Sequence, residues 1–130
     1  MNSEFRFALK NHVYKNTTFA ASELISTTEP KSCMFLDKAN HPKSSGVYII
    51  FSPNIVDFAP ATNGEGCIYV GEGQINQRLY QHWYNERFGS RDKDYIVVYY
   101  KIPDQVDRKA VERILIKHYN PPIIKKANPS

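Results

Sequence analysis

The chain is poor in the residues that staple a fold or span a membrane. Its two cysteines, Cys33 and Cys67, form no CxxC pair, so a structural zinc site and a disulfide framework both lack their usual signature. Cys67 opens an apolar run and reads as a buried thiol, and a bond to Cys33 is open but not required at this chain length. No apolar segment has the length of a signal peptide or a membrane span, so a cytoplasmic protein without a membrane partner is expected. Internal repeats and low-complexity tracts are absent. There is no helix-turn-helix or zinc-finger pattern, and Gly71-Glu72-Gly73 completes neither the dinucleotide-binding nor the P-loop spacing. Charge of one sign is also scarce. Seventeen Lys and Arg against thirteen Asp and Glu give +4 and a pI near 9.0, which permits a polyanionic partner without specifying one.

What is present suffices for one domain. The 130 residues, 42% hydrophobic and 13% aromatic, can bury an ordinary core. Residues 1–44 read as an N-terminal arm or extra layer. Phe19 to Ile25 suit a short helix with Thr17 or Thr18 as its cap, and Pro30, Asn40 and Pro42 mark turns after it. The pattern sharpens over 45–130. Val47, Ile49 and Phe51 alternate with Tyr48 and Ile50, as in a strand covered on both faces. A long loop over 52–66 precedes a second strand, Cys67 to Val70, which runs into the Gly71-Glu72-Gly73 turn. A helix is expected from Asn76 to about Phe88, with Leu79, Trp83 and Tyr80 on its apolar side and Arg78 and His82 sharing one face. Tyr95 to Lys101 is the strongest strand by β-branched and aromatic content. A last helix, Val106 to Tyr119, carries Val111, Ile114, Leu115 and His118 at helical spacing, and Asn120-Pro121-Pro122 stops it. The expected fold is therefore α/β of the α+β kind: a small three-stranded, mainly antiparallel sheet flanked by helices.

Each candidate functional residue has a plain alternative. Tyrosines in strands usually pack, and an arginine and histidine four apart on a helix usually face solvent. Glu112 lies four residues after Arg108 and would ordinarily pair with it at the surface. His12 and His41 read as surface groups and His118 as a packed one. Taken together, however, Tyr48, Tyr69, Arg78, His82 and Glu112 form a set suited to phosphodiester chemistry: phenols, a cation, a proton shuttle and a carboxylate.

These residues occur in an order that resembles the GIY-YIG nuclease superfamily. Its two name-giving motifs correspond to Gly46-Val47-Tyr48 and Tyr69-Val70-Gly71, followed by Arg78-x-x-x-His82 and by Glu112-Arg-Ile-Leu-Ile-Lys with Tyr119-Asn-Pro-Pro behind it. The likeness covers about residues 45–128. It implies an endonuclease that hydrolyses one DNA phosphodiester bond with a single divalent cation, Mg²⁺ with Mn²⁺ as substitute, held by Glu112. Tyr48 would activate the attacking water and Arg78 would contact the scissile phosphate, while Tyr69 and His82 orient water and phosphate or move a proton. A phenol with a pKa near 10 is a poor base at neutral pH, so nearby cations are expected to favour its ionised form. Gly71, Lys125 and Lys126 would line the nucleic-acid path. DNA is the expected partner ahead of RNA, and cutting both strands would take a homodimer or two events. Many members carry an asparagine where this chain has Ile124; Asn128 and Asn120 are the nearby candidates for its supporting role. The alternatives are a nucleic-acid-binding module that has lost catalysis on the same fold, and a protein-interaction domain docking through the arm.

Overall fold

The structure is a computed structural model that describes residues 19–52 and 66–123, the side chains of residues 19–22 excepted. Its described elements are α1 (Phe19–Thr27), β1 (Lys31–Met34), a 3₁₀ turn (Lys38–Asn40), β2 (Ser45–Phe51), β3 (Cys67–Gln74), α2 (Ile75–Tyr84), β4 (Ile96–Lys101) and α3 (Gln105–Tyr119). The class is α+β: among the described residues there is one antiparallel sheet, strand order β1-β4-β2-β3, with three α-helices.

The sheet has four strands, not the three expected. The added strand is Lys31–Met34, which pairs with β4 from Lys31–Tyr99 to Met34–Ile96. Its sequence, Lys-Ser-Cys-Met, lacks β-branched residues, and three of its four residues are exposed. It is a strand because β4 offers it an open edge, a long-range pairing that local propensity does not encode.

Alternation decides which side each residue serves. β2 is buried on both faces, sending Val47, Ile49 and Phe51 to one side and Tyr48 and Ile50 to the other. On the first side α3 brings Val111, Leu115 and Tyr119, and α1 adds Ile25. On the second side α2 brings Ile75 and Leu79, joined by Tyr69, Phe88, Tyr95 and Val97. A register shift between Ile50 and Phe51 lets Ile68 and Tyr69 both join this second cluster.

The helix ends accord with their sequences. Asp104 caps α3 by accepting from the Asp107 amide at 2.9 Å. Asn120 closes α3 in the left-handed conformation, φ 47°, with its amide donating to the Ile116 carbonyl. α2 ends at Tyr84, shorter than the expected run to Phe88, because Glu86 takes φ 51° and turns the chain back. Cys33 and Cys67 are both free thiols, Cys67 fully buried. Among the described residues no helix is long and apolar enough to cross a membrane.

Candidate active site

Four of the site candidates, Tyr48, Tyr69, Arg78 and His82, gather where β3 passes into α2, on the sheet face that α2 covers, while Glu112 comes from α3. Tyr48 on β2 and Tyr69 on β3 are wholly buried neighbours, their ring centroids 6.2 Å apart. His82, one turn beyond Arg78 on α2, brings its Nε2 to 2.7 Å from the Tyr48 hydroxyl. The same imidazole stands edge-on to Tyr69, centroids 4.9 Å apart, and rests on Phe88. A buried phenol–imidazole pair at this distance shares a proton along one strong hydrogen bond, whichever ring nitrogen is protonated.

Glycine makes the convergence possible. A Cβ on Gly71 would run into the Tyr48 hydroxyl and come within 2.9 Å of the Tyr69 ring, so the two phenols fill the space that a side chain would take. Gly71 is itself buried, facing Tyr48 rather than solvent. Gly73 adopts φ +134°, and a Cβ there would lie 2.7 Å from Arg78 Nε. The arginine side chain therefore lies across a bare stretch of backbone that only glycine supplies. Arg78 is half-buried, the outermost cation of the set.

Electrostatics tie the remaining residues to Tyr48. Burial pushes its phenol well above the ordinary range, and the neighbouring Tyr69 and the Glu112 carboxylate push the same way, while Arg78 and Arg87 pull it down. Arg78 thus pulls the phenol toward its ionised form, as expected, but burial outweighs both guanidinium groups. Glu112, only 6% exposed, belongs to this field. The alternative reading of Glu112 as Arg108's surface partner does not hold. Arg108 donates instead to Glu72, Nε to Oε1 at 2.9 Å, and Lys109 reaches the other oxygen at 3.3 Å.

One member of the cluster is not visible in the sequence. Arg87 places its guanidinium 5.3 Å from the centre of the Tyr69 ring, and among the described residues its Nε and Nη2 are buried without a hydrogen-bond partner. The Tyr69 hydroxyl is likewise unpartnered among those residues. A helix continued to Phe88 would point Arg87 away from the His82 face; the turn at Glu86 is what folds it back. Buried polar groups left unpaired cost about 1–3 kcal/mol each, and donors beside a phenol suit an incoming water or oxyanion.

Other candidates lie elsewhere. Asn120 is exposed at the α3 terminus and acts there as the cap. Lys125, Lys126, Asn128 and Ile124, together with the loop over 53–65, fall outside the described residues. His41 is not a surface group: it is buried, its Nε2 3.2 Å from the Met34 carbonyl oxygen. Tyr80, expected on the apolar side of α2, is 51% exposed on the opposite side. His118 packs against Tyr119. Among the described residues no group of three or more His, Cys, Asp or Glu side chains forms a metal cage. A single buried carboxylate does fit a cation whose shell is mostly water and phosphate, the habit of Mg²⁺. No family model matches the chain, and neither a curated protein nor a solved structure matches it.

Proposed function

We propose that the chain is a divalent-metal-dependent endonuclease that hydrolyses a DNA phosphodiester bond, in the manner of the GIY-YIG nucleases it resembles. The observation that carries this reading is the buried 2.7 Å contact between Tyr48 and His82, with Arg78 and Glu112 within electrostatic reach of the phenol. A buried tyrosine hydroxyl needs some hydrogen-bond partner, and here the partner is an imidazole, a group that can also take up a proton. In this reading Arg78, half-exposed, meets the scissile phosphate and balances the charge that grows on it in the transition state. The attacking water gives its proton to the Tyr48 oxygen as the phenol's own proton passes to His82 Nε2, so no free phenolate has to form. That route suits a phenol held neutral by burial. Arg87 and the Tyr69 hydroxyl supply further donors near the added negative charge. Glu112 would hold Mg²⁺ or Mn²⁺, which when bound offsets the carboxylate's field at Tyr48 and lends positive charge to water and phosphate.

Relaxation of supercoiled plasmid tests the reading. Nicking is expected with Mg²⁺ or Mn²⁺, is expected to stop in a chelator, and is expected to be lost in Glu112→Ala and Arg78→Ala proteins that remain folded. A pure folded protein that cleaves neither DNA nor RNA with either metal would reject it in favour of a binding module.

A further inference from the structure

α2 has a second, solvent-facing side. Ile75, Leu79 and His82 are buried and Arg78 half-buried toward the sheet, whereas Gln77, Tyr80, Gln81 and Tyr84 are exposed on the opposite side. Tyr80 and Tyr84 are 51% and 58% exposed, yet they are stacked, with centroids 6.1 Å apart and planes 29° from parallel. Trp83 extends the row, 5.9 Å from Tyr80. Cations hold the rings from two sides. Lys38 Nζ lies 3.1 Å from the centre of the Trp83 ring, and the Arg91 guanidinium lies 5.4 Å from Trp83 and 5.5 Å from Tyr84. Arg91 is also fastened to the end of α2, its Nη2 donating to the Tyr84 carbonyl at 2.6 Å. Glu86 lies 3.8 Å from Arg91 and offsets part of that charge. Beside the row opens a cavity of about 450 Å³ lined by Lys38, His41, Asn76, Gln77, Tyr80 and Gln81. Its lining offers three amides, an imidazole and an ammonium group and, among the described residues, no carboxylate.

We propose that this face binds unpaired nucleobases of single-stranded DNA or RNA. Flat rings at helical spacing offer stacking surfaces, amides in the adjoining cavity meet base edges, and Lys38 and Arg91 meet the backbone. A duplex gains little here, because its base faces are already stacked on one another. An exposed hydrophobic row could also serve a protein partner, but the carboxylate-free cavity lining and the bracketing cations match a polyanion better. The proposal rests on the nuclease reading only for the class of partner. It adds that the strand reaching Arg78 on one side of α2 is single-stranded on the other, so junctions, flaps and frayed ends are favoured over unbroken duplex.

Trp83 is the chain's single tryptophan, so its fluorescence reports on this face directly. The full chain is titrated in chelator with a short oligothymidylate, with a blunt duplex of equal length and with inorganic polyphosphate. Saturable quenching by the oligothymidylate alone is expected, weakened about tenfold in Tyr80→Ala and again in Tyr84→Ala. Both residues are exposed, and unchanged circular dichroism verifies the fold. Equal quenching by duplex or polyphosphate, or affinity unchanged in the double variant, overturns the proposal. So does concentration-dependent self-association that the tyrosine variants abolish, which would make the face a protein interface. Plasmid cleavage is run beside it in Mg²⁺. A protein that cuts but shows no oligothymidylate quenching refutes the stacking face and leaves the nuclease; one that binds as expected without cutting does the reverse.

Discussion

β2 feeds both sides of the sheet, and the two sides are equally closed to solvent yet chemically unlike. Toward α3 it sends Val47, Ile49 and Phe51 into a cluster whose members are mainly aliphatic. Toward α2 it sends Tyr48 and Ile50 into a cluster in which Phe35, Tyr69, Phe88, Tyr95 and Tyr99 join Tyr48 beside aliphatic residues, with His82 hydrogen-bonded to Tyr48. The two buried glutamates repeat the contrast. Glu72 is neutralised by Arg108 and Lys109 and ties β3 to α3. Glu112 instead contributes to the field at Tyr48. Burial by itself therefore does not separate frame from site. What separates them is the chemistry of the contact: Glu72 serves an ion pair between β3 and α3, whereas Tyr48 and His82 are two groups that can exchange a proton.

The sharpest break of this comparison is His82→Ala. On the nuclease reading the cleavage rate falls about 10²–10⁴-fold, the range for removing a proton-transfer group, while urea denaturation shows a loss of about 1–3 kcal/mol, from the Tyr48 hydroxyl left without its imidazole. Leu115→Ala on the other side should do the opposite. It empties part of a closed aliphatic cluster and is expected to cost about 2–5 kcal/mol in urea denaturation, with the cleavage rate per folded molecule unchanged.

Glu72→Ala sits between these extremes. It leaves Arg108, whose side chain is 11% exposed, without its carboxylate, and should cost about 1–3 kcal/mol without altering cleavage. An equal loss of cleavage in Glu72→Ala and Glu112→Ala would erase the distinction drawn between the two carboxylates.

The smallest effect is in pH. Burial, reinforced by Asp37 and Asp94, raises the Cys33 thiol from 9.0 to about 11. Its contribution to stability is complete below pH 9.0 and is lost as pH rises through 11, because the unfolded chain gives up the proton first. Tyr48 adds a loss of the same sign, beginning above the ordinary phenol value of about 10. Urea midpoints measured across this alkaline range should fall, and Cys33→Ala should remove the earlier part of the fall.

Much of the frame is readable from the chain. Alternation places β2 with both faces covered, four-residue spacing puts Arg78 and His82 on one face, and Asn120-Pro-Pro ends α3 where expected. The features that cannot be read depend on partners distant in sequence. β1 exists only through β4, and Glu72 finds Arg108 thirty-six residues away. Arg87 joins the cluster through a turn at Glu86 that comes three residues before the nearest glycine, Gly89. The ionisation of Tyr48 escapes the sequence for a related reason: the chain shows which cations are near but not how dry the phenol is.

The most direct measurement is the single-turnover cleavage rate of Tyr48→Phe with saturating Mg²⁺. The substitution keeps the ring that fills the space beside Gly71 and deletes only the hydroxyl that meets His82. The account predicts a rate at least about 10²-fold below the unaltered protein, with the fold intact and oligothymidylate binding at Trp83 unchanged. Cleavage at the unaltered rate would contradict it, leaving Tyr48 as a buried aromatic whose contact with His82 serves packing alone.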